Sequence, residues 1–470
     1  MYTSNPARIT HSVGGVGHNV ALAAQRFGAG SVKVKLCSVV GDDVAGSTVL
    51  NAMRNSHLST SGIRKVSAKE DRFARTAQYV SVNDSEKSLV VAMADMDLIS
   101  SYPYSDQHWI DVIHHAEPKC LVVDANLSGD TIQSILSVAG GIKTVFEPVS
   151  VAKSTRLFGG PKRLGVYPNH LVDLATPNIY ELSAMYDAAL ERGYFHDAPD
   201  WAEVIDRFNL RSGDVDYQGH FERMMAGLSD EVKAAGIPQK LLHLLPYIPS
   251  IVVKLGDQGC ILAEIMAPDD ERLLRSWAPG EKTGDIRPQP YVLSRAVSGV
   301  RDGGVGGVFM RHSRPQKASD IVSVNGVGDT FLGVLVAGLA RGVKVHKMIH
   351  TAQLAAVMTL GSSEAVSPDL RKLHRWASRK NASWWVEGWR STAPAREMRS
   401  SLPQGIEPSD TESVEVMTLD DVGIVDGWAE TEAEARAGDI VESDSGTAKG
   451  QRWGSFARRV LDDASSMTRK

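Results

Sequence analysis

Residues 323–332 read SVNGVGDTFL, a glycine-bearing turn that delivers one carboxylate, Asp329, to the start of an apolar run of helical length. Glycines let the backbone turn sharply and aim several N–H groups at one point, and the positive end of the following helix dipole lies at the same place. Such a turn, built from Gly326, Val327 and Gly328, suits an anion, and Asp329 stands beside it as a candidate proton acceptor. Transfer of a phosphoryl group to a hydroxyl requires an anion site of this kind with a base next to it.

A second glycine motif lies near the start of the chain, where residues 14–21 read GGVGHNVA. Gly14 and Gly15 permit a ligand to approach the backbone closely, and Asn19 offers both a donor and an acceptor at a helix start. A ribose ring needs paired polar contacts of this sort for its hydroxyls. The alternative is an ordinary helix cap, for which asparagine is common.

Between the two motifs, short apolar runs of strand length alternate with helical stretches. The predicted strands are 32–40, 121–124, 144–146, 171–175 and 250–255, with a hairpin of 77–82 and 88–94, and the predicted helices are 19–27, 129–139, 178–190 and 229–245. This alternation predicts an α/β fold with a doubly wound, mainly parallel sheet flanked by helices. Ligands of such sheets bind beyond the carboxyl ends of the strands, where the glycine motifs fall.

A polar pair follows one of these strands at residues 176–181, which read TPNIYE. Asn178 and Glu181 are three residues apart and share one face of an opening helical turn. An amide oxygen and a carboxylate in one place suit Mg²⁺, which keeps much of its water shell. A capping box, in which both side chains bond backbone N–H groups, explains the pair equally well.

A buried strand runs into a tight turn at residues 252–260, which read VVKLGDQGC. Gly256 and Gly259 permit close backbone approach, and Lys254 at the strand end is a candidate phosphate contact. The alternatives are a plain hairpin turn and a lysine that only extends to solvent from the strand end.

Bulk properties restrict the class of protein. A formal net charge of -5 and a pI near 6.3 do not indicate the excess of positive charge that is typical of proteins that bind nucleic acid or an acidic membrane surface. No apolar run approaches the roughly 20 residues of a membrane span. Cys37, Cys120 and Cys260 lie in apolar runs without metal-ligand spacing, so we expect them buried and reduced. A cytoplasmic protein acting on a small molecule is the expectation.

Composition divides the chain into parts. We expect a catalytic domain over 1–370, a long surface insertion over about 268–320, a helical and tryptophan-rich extension over 371–393, and a disordered acidic tail over 394–470. Nothing before Gly14 has the pattern of a strand, so the sheet is expected to lack its first strand.

The two glycine motifs, about 300 residues apart in this order, resemble the signatures of the ribokinase-like (PfkB) carbohydrate and nucleoside kinases. The resemblance extends over roughly residues 11–370. It implies ATP and Mg²⁺ as cofactors, with a monovalent cation as an option, and Asp329 as the catalytic base. It also implies that the 176–181 pair helps to place magnesium and that the 252–260 turn passes the nucleotide phosphates. Residues 74–97 resemble the small β-lid that covers the sugar in relatives and sometimes forms a homodimer contact.

Three further segments, 3–6, 92–97 and 146–153, resemble those of pseudouridine kinases. The implied reaction is phosphorylation of the primary hydroxyl of pseudouridine to give the 5′-phosphate. Two alternatives stay open. One is a kinase for ribose, adenosine or a hexose phosphate, and the other is a non-catalytic nucleoside-binding pseudokinase, because in relatives the absent first strand carries a substrate-binding aspartate.

Overall fold

The computed structural model describes residues 11–83, 89–196, 198–210, 217–274, 292–295, 304–318, 321–379, 414–419 and 423–426. The strands in these ranges are β1 Val13–Gly14, β2 Val32–Gly41, β3 Ile63–Val66, β4 Gln78–Asn83, β5 Leu89–Asp95, β6 Cys120–Asp124, β7 Lys143–Glu147, β8 Leu174–Ala175, β9 Ser250–Lys254, β10 Cys260–Met266, β11 Val292–Arg295, β12 Gly307–Ser313, β13 Val414–Leu419 and β14 Gly423–Asp426.

Helices connect most of these strands. They are α1 Val16–Gly28, α2 Val44–Asn55, α3 Asp97–Ser101, α4 Asp106–Ala116, α5 Gly129–Val138, α6 Val151–Ser154, α7 Ile179–Glu191, α8 Pro199–Arg207, α9 Tyr217–Met225, α10 Asp230–Ala234, α11 Ile237–Leu244, α12 Glu271–Leu274, α13 Val327–Ala340, α14 Val345–Leu360 and α15 Leu370–Arg379. Two short 3₁₀ turns lie at Thr155–Phe158 and Gly256–Gln258.

In the described ranges the larger sheet has ten strands in the order β11-β12-β10-β9-β8-β7-β6-β13-β2-β3. The seven strands from β9 to β3 run parallel to one another. β10, β12 and β11 extend the sheet at the β9 edge with antiparallel pairings. The predicted mainly parallel sheet is therefore confirmed, and the carboxyl ends of β6, β7, β8 and β9 meet at one edge.

Helices cover both faces of this sheet, because the side chains of each strand alternate between two cores. In β6, Leu121 and Val123 pack into one core with α4, α5 and α7. Cys120 and Val122 pack into the other with α1, α13 and α14. All three cysteines are buried and reduced, as predicted. A sheet buried on both faces is the doubly wound arrangement that the sequence pattern predicts.

β13 lies in the interior of the sheet although it comes from residues 414–419. It pairs in parallel with β2 on one side, at six positions, and with β6 on the other, at four. No gap remains between β2 and β6 in the described sheet, because β13, from residues 414–419, lies between them. The prediction of disorder over 394–470 was wrong for β13 and β14, since the strand pattern VEVMTL lies within polar, acidic sequence.

The predicted surface insertion also contains sheet. All seven residues of β12 pair with β10, and Val308, Phe309 and Met310 are buried. The glycines that flank this apolar run led to its prediction as a surface insertion. Most of the predicted insertion, and residues 380–393 of the tryptophan-rich extension, lie outside the described residues.

A smaller sheet of four strands in the described ranges, in the order β1-β14-β4-β5, forms the predicted lid. β4 and β5 pair antiparallel as the expected hairpin, while residues 84–88 of its turn lie outside the described part of the chain. Asp43, the N-cap of α2, accepts hydrogen bonds from the backbone N–H and the hydroxyl of Thr76 at 2.8 and 2.6 Å. The lid strand β4 is therefore fastened to the end of β2.

No helix among the described residues is long and apolar enough to cross a lipid bilayer.

Candidate active site

The turn before α13 takes the shape that its glycines predict. Gly326, the N-cap, has φ +67°, and a Cβ added to it would lie 2.0 Å from the carbonyl oxygen of Ala365. Both its left-handed backbone and its close packing require glycine. No side chain among the described residues caps the first turn of α13, so the N–H groups of Val327 and Gly328 are available to an anion.

Asp329 lies in that first turn, half-buried, and its carboxylate is held from the other glycine motif. Asn19 in α1 donates a hydrogen bond from Nδ2 to Oδ2 of Asp329 at 2.8 Å. The helices α1 and α13 pack closely because Gly333 leaves room for the backbone of Val20 and Ala24. The sequence predicted Asn19 as a sugar contact and Asp329 as a base; the structure brings the two together.

Gly14 and Gly15 lead into α1, as expected. Gly15 has φ +106° and is the N-cap of α1, which has no side-chain cap either. Two helices thus begin on glycine near the Asn19–Asp329 pair. Their uncapped N-termini give this edge of the sheet a positive potential toward an anionic ligand.

His18, which precedes Asn19, is buried, and its Nε2 has no hydrogen-bond partner within the described part of the chain. Burial lowers its pKa to about 4; a hydrogen bond to Asn19 opposes this effect and Arg26 adds to it. The imidazole is therefore neutral near pH 7.

Lys254 ends β9 and points toward the same place. A Cβ added to Gly328 would lie 3.5 Å from its Nζ, which puts the ammonium against the first turn of α13. The ammonium donates to Oε1 of Glu147, at the end of β7, at 3.0 Å. The other carboxylate oxygen of Glu147 accepts a short hydrogen bond from the Thr176 hydroxyl. Lys254 is thus an ion-paired residue of the site and does not extend freely to solvent.

Three carboxylates act on this ammonium. Burial alone would lower the pKa of Lys254, but the neighbouring carboxylates outweigh burial and raise that pKa above its ordinary value. They belong to Glu147, Glu181 and Asp329. The lysine therefore stays charged over the whole neutral range, and strands β7 and β9 with helices α7 and α13 converge on one cation.

Asn178 and Glu181 form the capping box that was the alternative to a metal pair. Oδ1 of Asn178 accepts from the N–H groups of Tyr180 and Glu181 at 2.9 and 2.8 Å. Oε2 of Glu181 accepts from the N–H of Asn178 at 2.7 Å. Two N–H groups occupy the Asn178 oxygen, so it does not fit as a direct metal ligand. A carboxylate has about four acceptor positions, so Glu181 fits a hydrated Mg²⁺ held through water.

No cluster of three or more His, Cys, Asp or Glu side chains within the described ranges has a geometry that would hold a metal ion.

The two glycines of the 256–259 turn differ in their surroundings. A Cβ on Gly259 would lie 2.1 Å from the carbonyl oxygen of Ser313, so this glycine is needed for packing against β12. Gly256 has φ +59° with open space around its α-carbon. Only Gly256 therefore has the free face that approach of a ligand to the backbone would use.

Glu147 is a residue of this candidate site that sequence reasoning did not single out. Its signal was present: β7 and β9 both end in a charged residue at the shared edge of the sheet. Asp124, which ends β6, instead accepts from the N–H of Asn126 at 2.8 Å. Lys153 donates to Asn126 at 2.9 Å. These hydrogen bonds stabilise the turn between β6 and α5.

The comparisons with known proteins agree with this geometry. The sequence profile of the pfkB family of carbohydrate kinases matches residues 2–209 and 292–372, more than half of the chain. A pseudouridine-metabolizing bifunctional protein of Schizosaccharomyces pombe is 28% identical over 375 residues, which are 79% of this chain and 44% of that protein. The chain thus matches less than half the length of that relative.

A pseudouridine kinase of Arabidopsis thaliana is 23% identical over 380 residues, 78% of this chain and 87% of that protein. Among solved structures, ribokinase from Thermotoga maritima aligns with a TM-score of 0.48 at 15% identity, covering 81% of this chain and 92% of that one. Asp329 lies at the uncapped start of α13, and the family profile covers both glycine motifs. This chain therefore belongs to the pfkB family of carbohydrate kinases.

Proposed function

We propose that this protein uses ATP to phosphorylate the primary hydroxyl of a ribosyl substrate, and that the substrate is pseudouridine. The observation that carries the reaction type is the arrangement around Asp329. An oriented carboxylate, an uncapped helix N-terminus and a charged lysine surround one point at the carboxyl edge of a parallel sheet. A base, an anion site and a cation are the groups that phosphoryl transfer needs.

In the proposed reaction the acceptor hydroxyl oxygen attacks the γ-phosphorus of ATP. The bond from that phosphorus to the β–γ bridging oxygen breaks, ADP leaves, and the hydroxyl proton passes to Asp329. General-base assistance of this kind contributes about 10²- to 10⁴-fold in rate. The N–H groups of Gly326, Val327 and Gly328 stabilise the charge on the phosphoryl group as it moves.

Each remaining site residue has a part in this proposal. The turn at Gly256 lies along the nucleotide, and Gly14 and Gly15 line the side of the acceptor. Asn19 holds Asp329 toward the acceptor hydroxyl. Glu181 would hold, through water, a Mg²⁺ ion bound to the ATP phosphates, and that ion would supply neutralisation of phosphate charge.

The choice of pseudouridine rests on relatives and on sequence segments. Both relatives described above are named for pseudouridine metabolism or kinase activity. The segment that contributes Glu147 and Lys153 is one of those that resemble pseudouridine kinases. It begins at the carboxyl end of β7, the strand that pairs with β6.

We also propose that the lid supplies a homodimer contact. Val80 pairs with Met93 and Val82 pairs with Val91 across β4 and β5. Cross-strand partners lie on one face, and these four side chains are exposed, Met93 by 57%. A second copy of the same lid would cover this apolar face.

A panel of acceptors tests the proposed function. The purified protein is given ATP with pseudouridine, uridine, ribose or adenosine, and ADP release and the phosphorylated product are measured. Asp329→Asn provides the background rate. We expect the highest kcat/KM with pseudouridine. A higher kcat/KM with another acceptor would support the proposed kinase activity but would reject pseudouridine as its substrate. Turnover no faster than the background with every acceptor would favour a nucleoside-binding protein without activity.

A further inference from the structure

Glu147 and Lys254 form a nearly buried ion pair at the ends of two strands that are not neighbours. The Glu147 side chain is 5% exposed and that of Lys254 is 21% exposed. β8 separates their strands in the sheet, and the Thr176 hydroxyl that follows β8 bonds the second oxygen of Glu147. Each oxygen of the Glu147 carboxylate thereby accepts a hydrogen bond, which fixes the orientation of the carboxylate and of the Lys254 ammonium bound to it.

The lysine keeps capacity for a ligand. An ammonium has three N–H donors, and the hydrogen bond described for Lys254 is the one to Glu147. Its backbone N–H is bonded to the carbonyl of Pro177 at 2.8 Å, which anchors the chain beneath the side chain. The ammonium therefore reaches the first turn of α13 from a rigid base.

A purely structural role explains this arrangement poorly. Taking two charges out of water costs more than their attraction commonly returns, and apolar replacements of buried pairs are often neutral or stabilising. This pair lies at the carboxyl edge of the sheet and faces Gly328, where an anion would be bound. Charge placed there stabilises a phosphoryl group.

We infer that the Lys254 ammonium contacts the phosphoryl group during its transfer, and that Glu147 is the positioning residue that holds the lysine against the start of α13. This inference rests on the proposed function and adds a role for a residue pair to it. Before ATP binds, Glu147 is the counter-ion of Lys254. When the phosphates arrive, the two remaining donors of the ammonium bond their oxygens, and Glu147 keeps its own hydrogen bond.

Four variants test the pair. In Lys254→Met the charge is lost at similar length, and we expect kcat to fall about 10²- to 10³-fold, as when a donor to a transition-state oxyanion is removed. Lys254→Arg keeps the charge and should recover most of that loss. Glu147→Gln keeps the shape of the positioning residue and should lower kcat about 10-fold, a smaller effect than loss of the cation. Lys240→Met is the matched control, because Lys240 is half-buried and donates to Ser183 at 2.7 Å away from the site.

A pH profile separates positioning from simple stability. The lysine must be charged to act, and the Glu147 carboxylate raises its pKa against the effect of burial. In Glu147→Gln that pKa falls, so the alkaline limb of kcat/KM should move to lower pH. Lys240→Met should leave this limb in place. Thermal unfolding of each variant shows whether a loss of activity follows from loss of the fold.

Nucleotide affinity makes the test independent of the acceptor. Binding of a non-hydrolysable ATP analogue and of ADP is measured for the wild type and Lys254→Met, and the variant should lose more affinity for the analogue. Wild type that binds the analogue but transfers to no acceptor would reject the proposed function and leave Lys254 as a phosphate contact. A folded Lys254→Met with unchanged kcat and an unchanged ratio of affinities would overturn the inference. Wild type that binds no nucleotide would reject both.

Discussion

Asn19 and Asp329 are joined by a hydrogen bond of 2.8 Å from amide to carboxylate, although 310 positions separate them in the chain. One residue belongs to the first glycine motif and the other to the second. The contact joins the two motifs in one site, and in the proposed reaction Asn19 would set the direction of the Asp329 carboxylate.

Loss of this hydrogen bond should lower kcat without weakening the binding of ATP. In Asn19→Ala the carboxylate of Asp329 loses its orienting donor, and we expect kcat to fall about 10- to 10²-fold. Asp329→Asn should cost about 10²- to 10⁴-fold. Since both changes act on one function, the double variant should be no slower than Asp329→Asn alone. Additive losses would show that Asn19 acts by another route.

Gly326→Ala should destabilise the turn before α13. The left-handed backbone at φ +67° costs a residue with a Cβ about 1–3 kcal/mol, and the Cβ would lie 2.0 Å from the Ala365 carbonyl. Chemical denaturation should show at least this loss of unfolding free energy, together with weaker nucleotide binding. Gly140→Ala is the control, since a Cβ there meets nothing within 4 Å. Equal stability of both variants would contradict the described turn.

Removal of β13 should abolish the fold of the domain. A chain that ends at residue 413 lacks β13 and β14, leaving two edges inside the sheet, on β2 and β6, without ladder partners. We expect low solubility and no cooperative thermal transition. A chain that ends at residue 430 keeps both strands and should unfold like the full chain. A 413-residue chain with wild-type melting and activity would show that β13 is dispensable.

The lowered pKa of buried His18 predicts that the free energy of unfolding decreases in acid. Its pKa is about 4 in the folded protein and ordinarily 6.5, because burial disfavours the charged imidazole. The unfolded chain binds the proton first, so this contribution is complete above about pH 6.5 and declines as the pH falls toward 4. The loss amounts to about 3 kcal/mol. His18→Gln should show a flatter decline in denaturant titrations, while His114→Gln, an exposed control, should follow the wild type.

Met93→Asp tests the lid contact. A charge placed in the apolar face of Val80, Val82, Val91 and Met93 would be buried between two copies. We expect the mass from sedimentation or light scattering to fall from that of a dimer to that of a monomer. Lys69→Asp, at an exposed position outside this face, is the control. A wild type that is monomeric at every concentration would reject the dimer.

The sequence was sufficient for much of this fold because its elements follow simple periodicities. The helix begun at Asn19, the strand over 32–40 and the lid hairpin all appear near their predicted bounds. The stretch 229–245 was predicted as one helix and forms two, α10 and α11. Gly236 takes φ +63° between them, and a left-handed residue ends the first.

Contacts between residues far apart in the chain could not be predicted from local sequence patterns. β13 is six residues in a polar, acidic region, and nothing near it in sequence shows that β2 and β6 leave a place for it. The ion pair of Glu147 with Lys254 joins residues 107 positions apart. The capping box at Asn178 and Glu181 was foreseen as an alternative, since capping and metal binding use the same residue types at the same spacing.

The place of β13 in the sheet has a consequence for synthesis of the protein. β6 ends at residue 124 and β13 begins at residue 414, so at about 5–20 residues per second the growing chain waits some 15–60 s with its sheet open. During that interval the exposed strand edges are candidates for chaperone binding. The sheet closes only when translation has passed residue 419, so we expect a message cut short before that codon to yield no folded domain.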